Sequence, residues 1–323
     1  MTEYIPSNYS TISFPWLGIE INPSRELEII ENVFSVRYYG LIIALGLLLA
    51  VIYGCRRCKQ FGLKEDDILD GVLCVTPFAI ICARIYYCIF AWNEEFASQP
   101  IKALYIWEGG IAIYGGVLGA IIGVLVFCKV KKIKCAAVLD LVALGFLIGQ
   151  GIGRWGNFFN REAFGAATDS FFRMGLYNVK TGAFEYYHPT FLYESLWNLA
   201  GFLLLHFCSK KRKYDGQIAL GYALWYGLGR TFIEGLRVDS LYFGPFRVSQ
   251  LLAAVSCTAA AIVMVIFYLK PRNSEKLFVN QVAAAAIEAA NETEEELCEE
   301  SDEEPEELMI EQEENDEDKT EEV

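Results

Sequence analysis

The sequence predicts an all-α, polytopic integral membrane protein with about seven transmembrane helices. Three observations predict it. Of the 323 residues, 54% are hydrophobic, and they are gathered in long runs rather than in the short amphipathic segments of a soluble chain. Several runs approach the ~20 residues that a helix needs to cross a bilayer. Clusters of Lys and Arg follow alternate runs, which gives each span a direction.

The formal charge of −14 says little about the apolar body. Glu292 to Val323 holds 19 acidic residues and a single Lys, so the rest of the chain is weakly basic. That acidic stretch has the composition of a disordered tail.

Residues 1–36 are polar and mixed. No basic stretch leads an apolar one, so no cleavable signal peptide is expected there. The first span runs from about Tyr38 to Cys55 and stops at Arg56, Arg57 and Lys59. The second runs from about Ile68 to Trp92. The third, from about Ile111 to Phe127, is closed by Lys129, Lys131, Lys132 and Lys134. The fourth covers Ala136 to Gly153, and a long polar segment, 154–188, follows it. The fifth runs from about Pro189 to Cys208 and ends at Lys210, Lys211, Arg212 and Lys213. The sixth is about Gln217 to Glu234, and the seventh about Val248 to Leu269. Beyond it, Ala283 to Ala290 has the composition of one short helix.

Basic clusters after spans one, three, five and seven belong in the cytoplasm. The N-terminus is then outside and the C-terminus inside. Three parts are expected: an extracytoplasmic segment over 1–36, a transmembrane domain over 37–272 with an extracytoplasmic loop at 154–188, and a cytoplasmic tail over 273–323. Trp16, Trp92, Trp107 and Trp155 fall near outer ends, as an interfacial aromatic belt requires. The ten cysteines lie mostly in apolar runs or at basic ends, and no disulfide framework is expected. Cys55 and Cys58 have metal-ligand spacing but no second pair nearby. With only two histidines, a His-rich metal site is not expected, and no cofactor is.

Charged groups inside spans are expensive and mark function or pairing. They are Arg84, Asp140, Glu194, Arg230 and Glu234. Arg230 and Glu234 are four apart and can pair along one helical face. Arg154, His188, Glu194, Arg230, Glu234, Tyr38, Tyr39 and Tyr114 all fall toward outer ends, and Arg84 about 12 Å of helix rise below one. Asp140 alone lies near an inner end. Polar groups from six segments at one depth imply a site rich in Arg, fit for an anionic lipid headgroup. A transporter would spread such groups across the membrane, and a scaffold would tolerate their loss.

The densest stretch is Gly149 to Gly165, GQGIGRWGNFFNREAFG. Arg154 offers a rigid fork of donors for a phosphate or carboxylate. Asn157 and Asn160 share a face if the helix continues. Gly151-x-Gly153-x-x-Gly156 is a weak dinucleotide pattern, and no strand precedes it. Arg154-Trp155-Gly156-Asn157-Phe158-Phe159-Asn160, with Glu162 and Gly165, resembles the G-R-x-G-N-F-x-N-x-E-x-x-G motif of the prolipoprotein diacylglyceryl transferases. Arg37-Tyr38-Tyr39-Gly40 resembles the family's first-span motif. Trp107 to Gly116 resembles its segment ending in His-Gly-Gly, with Tyr114 where many members carry the histidine. His188-Pro189-Thr190 with Leu192-Tyr193-Glu194 resembles its H-P-[ST]-x-L-Y-E. Tyr226 to Arg230, with Glu234 and Arg237, resembles its sixth-span motif.

The resemblance covers roughly Val36 to Leu269. It implies a bacterial plasma-membrane enzyme whose transmembrane domain is catalytic. Such an enzyme moves the diacylglyceryl group of phosphatidylglycerol to the lipobox cysteine of a prolipoprotein signal peptide. Its partners are those substrates and membrane lipid, with no nucleic acid. It implies catalytic roles for Arg154, Arg230, Tyr39, Tyr114, Asn157 and Glu234. Contacts to phosphatidylglycerol would come from Arg154, Arg230, Asn160, Glu162, Gly165, His188 and Arg237. Arg154 and Arg230 would clamp the phosphate without a metal. With Tyr in place of the family histidine, the base is Glu234, Tyr39 or His188, or no base at position 114 is needed.

Overall fold

The computed structural model describes residues 9–30, 34–106, 109–237, 242–243, 246–269 and 276–291. The chain divides into two compact units, Met1–Arg272 and Asn273–Val323. In the second unit, a helix covers 278–291 and includes the stretch from Ala283 to Ala290. The acidic tail from Glu292 lies outside the described residues.

Among the described residues, seven α-helices carry the first unit: α1 (Tyr38–Arg57), α2 (Glu65–Ala91), α3 (Ile113–Lys131), α4 (Cys135–Asn160), α5 (Thr190–Ser209), α6 (Gln217–Glu234) and α7 (Val248–Leu269). Six of them are long and apolar enough to cross a membrane. The exception, α6, carries Gln217, Arg230 and Glu234 within 18 residues and packs along α4, α5 and α7. The outward surfaces are hydrocarbon: Leu73, Phe90 and Ile113 are each more than two-thirds exposed. In water such a surface would drive aggregation, whereas a lipid bilayer covers it. The protein is a multi-pass membrane protein.

Two devices fix the helix packing. Gly115 and Gly119 strip side chains from the α3 face toward α2, and a Cβ at Gly119 would fall 2.6 Å from that of Cys82. Such small-residue stripes let helices approach closely where lipid supplies no hydrophobic drive. Between α5 and α6, Trp197 Nε1 donates to the Trp225 carbonyl (3.1 Å) and Trp225 Nε1 to the Trp197 carbonyl (2.9 Å). The two indoles stack at 4.4 Å.

The basic residues after the first, third and fifth spans lie at one end of the bundle, where Arg57 reaches Ser209 and Lys134 reaches Asp215, and those after the seventh lie outside the described residues. In the same region the Asp140 carboxylate, fully buried on α4, accepts the backbone N–H groups of Gly216, Ile218 and Ala219 at 2.8–2.9 Å. It caps the start of α6, where orphan N–H groups and the helix dipole favour an anion. Nearby, Lys134 Nζ pairs with Asp215 at 2.9 Å. Arg212 reaches Asp215 at 3.7 Å and lies over the Phe61 ring.

At the opposite end, segments read from sequence as polar loops fold into strands. A four-stranded antiparallel sheet has the order β2-β1-β5-β6, from β1 (Tyr9–Phe14), β2 (Ile19–Ile21), β5 (Met174–Asn178) and β6 (Ala183–Tyr187). Two separate antiparallel hairpins are β3–β4 (Glu26–Ile30, Phe34–Arg37) and β7–β8 (Tyr242–Phe243, Phe246–Arg247). Ile12, Phe14, Met174 and Leu176 point to one face, by the two-residue period of a strand. They bury against Phe158 of α4, Phe164 and Phe191 of α5. The sheet therefore sits on the ends of α4 and α5, and this sheet end is where the polar residues gather.

Candidate active site

α4 runs seven residues beyond its expected limit at Gly153 and ends at Asn160. Trp155 and Phe158 hold this extra length against Phe191 of α5, at 5.4 and 5.0 Å between ring centres. The extension puts Arg154, Asn157 and Asn160 on helix rather than loop. Arg161 then turns the chain with φ of 55°, and Ala163 repeats it. Such a φ costs a non-glycine residue roughly 1–2 kcal/mol. Arg161 is tied down in compensation: its guanidinium bonds the Ser10 and Pro23 carbonyls and Asn22 Oδ1 at 2.6–3.1 Å. The reversal brings Glu162 back over the helix end. Asn157 Nδ2 and Asn160 Nδ2 both donate to Glu162 Oε1, at 3.0 and 3.2 Å. The shared face expected for the two asparagines is therefore formed.

Tyr39, in the first turn of α1, lies across the α4 backbone at Gly156. A Cβ there would fall 2.7 Å from the Tyr39 ring. Glu162 and Arg154 are both within electrostatic reach of its hydroxyl.

Glu194, one turn into α5 and 5% exposed, is the hub. Arg154 meets its Oε2 at 2.7 Å, while Arg230 and Arg237 approach its Oε1 at 3.5 and 3.6 Å. Arg230 also holds Glu234 at 2.5 Å, the i, i+4 pair expected from spacing. Glu234 is almost fully buried. Its backbone carbonyl accepts from Arg247. The ends of three helices, α4, α5 and α6 with its extension, thus converge on three guanidiniums and two carboxylates. Glu194 was expected at this polar site, as a charge inside a span and the last position of the H-P-T-x-L-Y-E stretch, but was given no catalytic or lipid-binding role.

Gly165 sits where three segments meet. Its N–H bonds the His188 carbonyl (2.9 Å), and it bridges to Arg237. A Cβ there would lie 2.7 Å from that of His188 and 2.9 Å from the Leu236 carbonyl oxygen. Gly165 thereby sets the chain position of Arg237. The His188 ring turns to Tyr193 Oη at 3.4 Å rather than to the ion pairs.

Two residues fall outside this assembly. Tyr114 stands on α3, 41% exposed, with no side-chain hydrogen bond among the described residues. Arg84 was expected to enrich the site in arginine. Instead its guanidinium is wrapped by the carbonyls of Lys102, Ala103, Tyr105, Gly109 and Gly110, at 2.6–3.3 Å. All its N–H donors go to folding the 100–110 segment, because one arginine can satisfy the carbonyls of a loop that has no ladder of its own. Trp107 and Glu108 of the same stretch lie outside the described residues.

A cavity of about 700 Å³ runs between α4 and the α2–α3 pair, from Asp67 and Cys135 at the basic end to Ile111 and Ile113 at the sheet end. Its walls are almost entirely hydrocarbon, from Val75, Ile121, Val138 and their neighbours. None of the ion-paired residues lines it.

The family model for prolipoprotein diacylglyceryl transferase matches residues 27–266, which take in all seven helices except the last residues of α7. Curated relatives agree along most of their length. The chain is 44% identical over 241 residues to the phosphatidylglycerol–prolipoprotein diacylglyceryl transferase of Limosilactobacillus reuteri (strain DSM 20016), covering 72% of this chain and 87% of that one. The enzyme of the same name from Ligilactobacillus salivarius (strain UCC118) is 43% identical over 244 residues, 73% and 89% of the two chains. That from Bacillus velezensis is 42% identical over 260 residues, 78% and 94%. With its motif residues gathered at one end of the helix bundle and this likeness along nearly the whole helical unit, the chain belongs to the prolipoprotein diacylglyceryl transferase family.

Proposed function

We propose that this protein transfers the diacylglyceryl group of phosphatidylglycerol to the lipobox cysteine thiol of a prolipoprotein, in the plasma membrane of a bacterium, with the sheet end outward. The observation that carries the reading is the convergence of Arg154, Arg230 and Arg237 on Glu194. Arg154 and Arg230 each present a planar fork of N–H donors at this carboxylate, a geometry that also suits an incoming phosphate diester.

In the reaction the thiolate sulfur attacks the glyceryl carbon bonded to the phosphate oxygen. A C–S thioether bond forms, the C–O bond breaks, and its electron pair leaves with glycerol phosphate. The barrier lies in the charge gathering on the departing phosphate. Fixed guanidiniums in a water-poor setting stabilise that charge without reorganising. Arg154 and Arg230 hold the phosphate, and Arg237 adds a third positive group. Asn157 and Asn160, braced by Glu162, orient the glycerol and phosphate oxygens. Glu234 and Glu194 keep the guanidiniums in place when substrate is absent. The arginines also favour the thiolate of the acceptor, whose ordinary pKa is ~8.5. Tyr39 packs on the α4 backbone beside Arg154, and Gly165, bonded to the His188 carbonyl, seats Arg237. The hydrocarbon cavity along α4 suits acyl chains.

The test uses membranes holding the full-length protein, phosphatidylglycerol labelled in its diacylglyceryl part, and a lipobox-bearing prolipoprotein. Label should reach the acceptor cysteine. Arg154→Ala should lower the rate by about 10²–10³-fold, the usual effect of deleting one fixed donor to a developing anion. Well-folded wild-type protein that transfers no label would overturn the proposal.

A further inference from the structure

The sheet carries bulky apolar residues that its own core does not absorb. Leu17 is 51% exposed, Ile19 45%, Phe171 69% and Phe172 51%. They form one patch. Trp16 lies 5.5 Å from Phe172 and 6.5 Å from Phe171 between ring centres, and the two phenylalanines are 5.1 Å apart. Trp16 and Leu17 sit on the turn 15–18, Ile19 at the start of β2, and Phe171 and Phe172 on the turn 170–173, all at one end of neighbouring strands, because Phe14 pairs with Ile19 and Ser13 with Gly175.

The register fixes the height of that end. Met174 pairs with Tyr187, and Tyr187 is two residues from Pro189, where α5 begins. Phe14 stacks on Phe158 at 6.2 Å, in the last turn of α4. The patch is thus level with the helix ends. Trp155, 42% exposed on the last turns of α4, packs on the same Phe158. Arg173 braces the second turn, donating to the Asp169 and Ser170 carbonyls and lying over the Tyr186 ring.

We propose that Trp16, Leu17, Ile19, Phe171 and Phe172 form a membrane-resting edge of the sheet, immersed in the interfacial layer of the leaflet beside the ion-pair site. Aromatic side chains concentrate at that layer, and an apolar cluster of this size at the mouth of a membrane bundle is covered by lipid rather than water. The edge holds the sheet at a fixed height. It therefore sets the depth at which a lipid phosphate meets Arg154 and Arg230. The inference does not depend on the transfer reaction, since it needs only a chain that spans the bilayer.

The experiment places a reporter in the patch. The full-length Phe171→Trp protein is reconstituted in phosphatidylcholine nanodiscs, with or without lipids brominated near the ester end of the acyl chain. The added indole emission, taken as the difference from wild type, should lose most of its intensity with the brominated lipid and resist aqueous iodide. Trp16→Phe serves as a second variant: the emission it removes should also be the lipid-quenched part. Added emission quenched by iodide and untouched by bromine would overturn the proposal. So would emission insensitive to bromine that becomes shielded only when a signal peptide is added, which would make the patch a peptide-docking surface.

Discussion

At the basic end of the bundle, Asp140 faces three backbone N–H groups. At the sheet end, Glu194 faces three guanidiniums. Both carboxylates are buried, both join α4 to a neighbouring helix, and both lie at the rim of a membrane. The difference is in what they leave over. The donors around Asp140 are single N–H groups, each spent on one bond of 2.8–2.9 Å. Glu194 has one close partner at 2.7 Å and two guanidiniums at 3.5 and 3.6 Å, past ordinary hydrogen-bond length. A cluster that closes on itself holds helices together. A cluster that gathers several guanidiniums on one carboxylate presents the donor chemistry that binds a phosphate.

The sharpest way to break that contrast is to neutralise each carboxylate. Glu194→Gln should leave three guanidiniums without their shared counter-charge. Removing one partner of a buried charged set costs about 2–5 kcal/mol. The expected loss of transfer is about 10²-fold or more, measured per folded molecule with labelled lipid. Unchanged turnover would show that the arginines need no organiser. Asp140→Asn should act on stability alone. It removes part of a helix cap, worth about 1–2 kcal/mol, so thermal unfolding in detergent shifts down while turnover per folded molecule stays level. A selective loss of turnover would erase the distinction between the two ends.

Smaller effects sharpen it further. Tyr114→Phe should change turnover by less than a factor of about three, because a hydroxyl with no buried partner gives up little when removed. A loss as large as that of Glu194→Gln would bring α3 into the chemistry. Deleting Glu292 to Val323 should alter neither transfer nor the amount of protein in the membrane, which a blot and the same labelled assay would check.

The helices were legible because hydrocarbon runs of this length have few other uses. The start of α5 and the limits of α6 and α7 fall within about a residue of their sequence limits. The Arg230–Glu234 pair followed from helical spacing. The end of α4 did not, because its last turns are held by rings from α5 that are over thirty residues away in the chain. The sheet was hidden for a similar reason. Only β1 and β5 contribute two inward core residues each, and β2 none, too few to show a period above a polar background. Arg84 and Glu194 mark the limit most clearly. Both are charges within spans near the same end, and both looked equally suited to the site. Only the carbonyls of 102–110 and the three guanidiniums separate a loop organiser from a hub.

The paired indoles of Trp197 and Trp225 bear on how this protein is made. Each N–H is satisfied by the other helix, so the α5–α6 hairpin leaves neither indole donor bare to hydrocarbon. That bond pair needs no third helix. The hairpin can lock its register as soon as both segments have entered the bilayer, before α7 has been synthesised. Glu194 and Arg230 lie three and five residues beyond the two tryptophans. Their spacing is then settled during insertion, beside an α4 that was synthesised earlier and already carries Arg154.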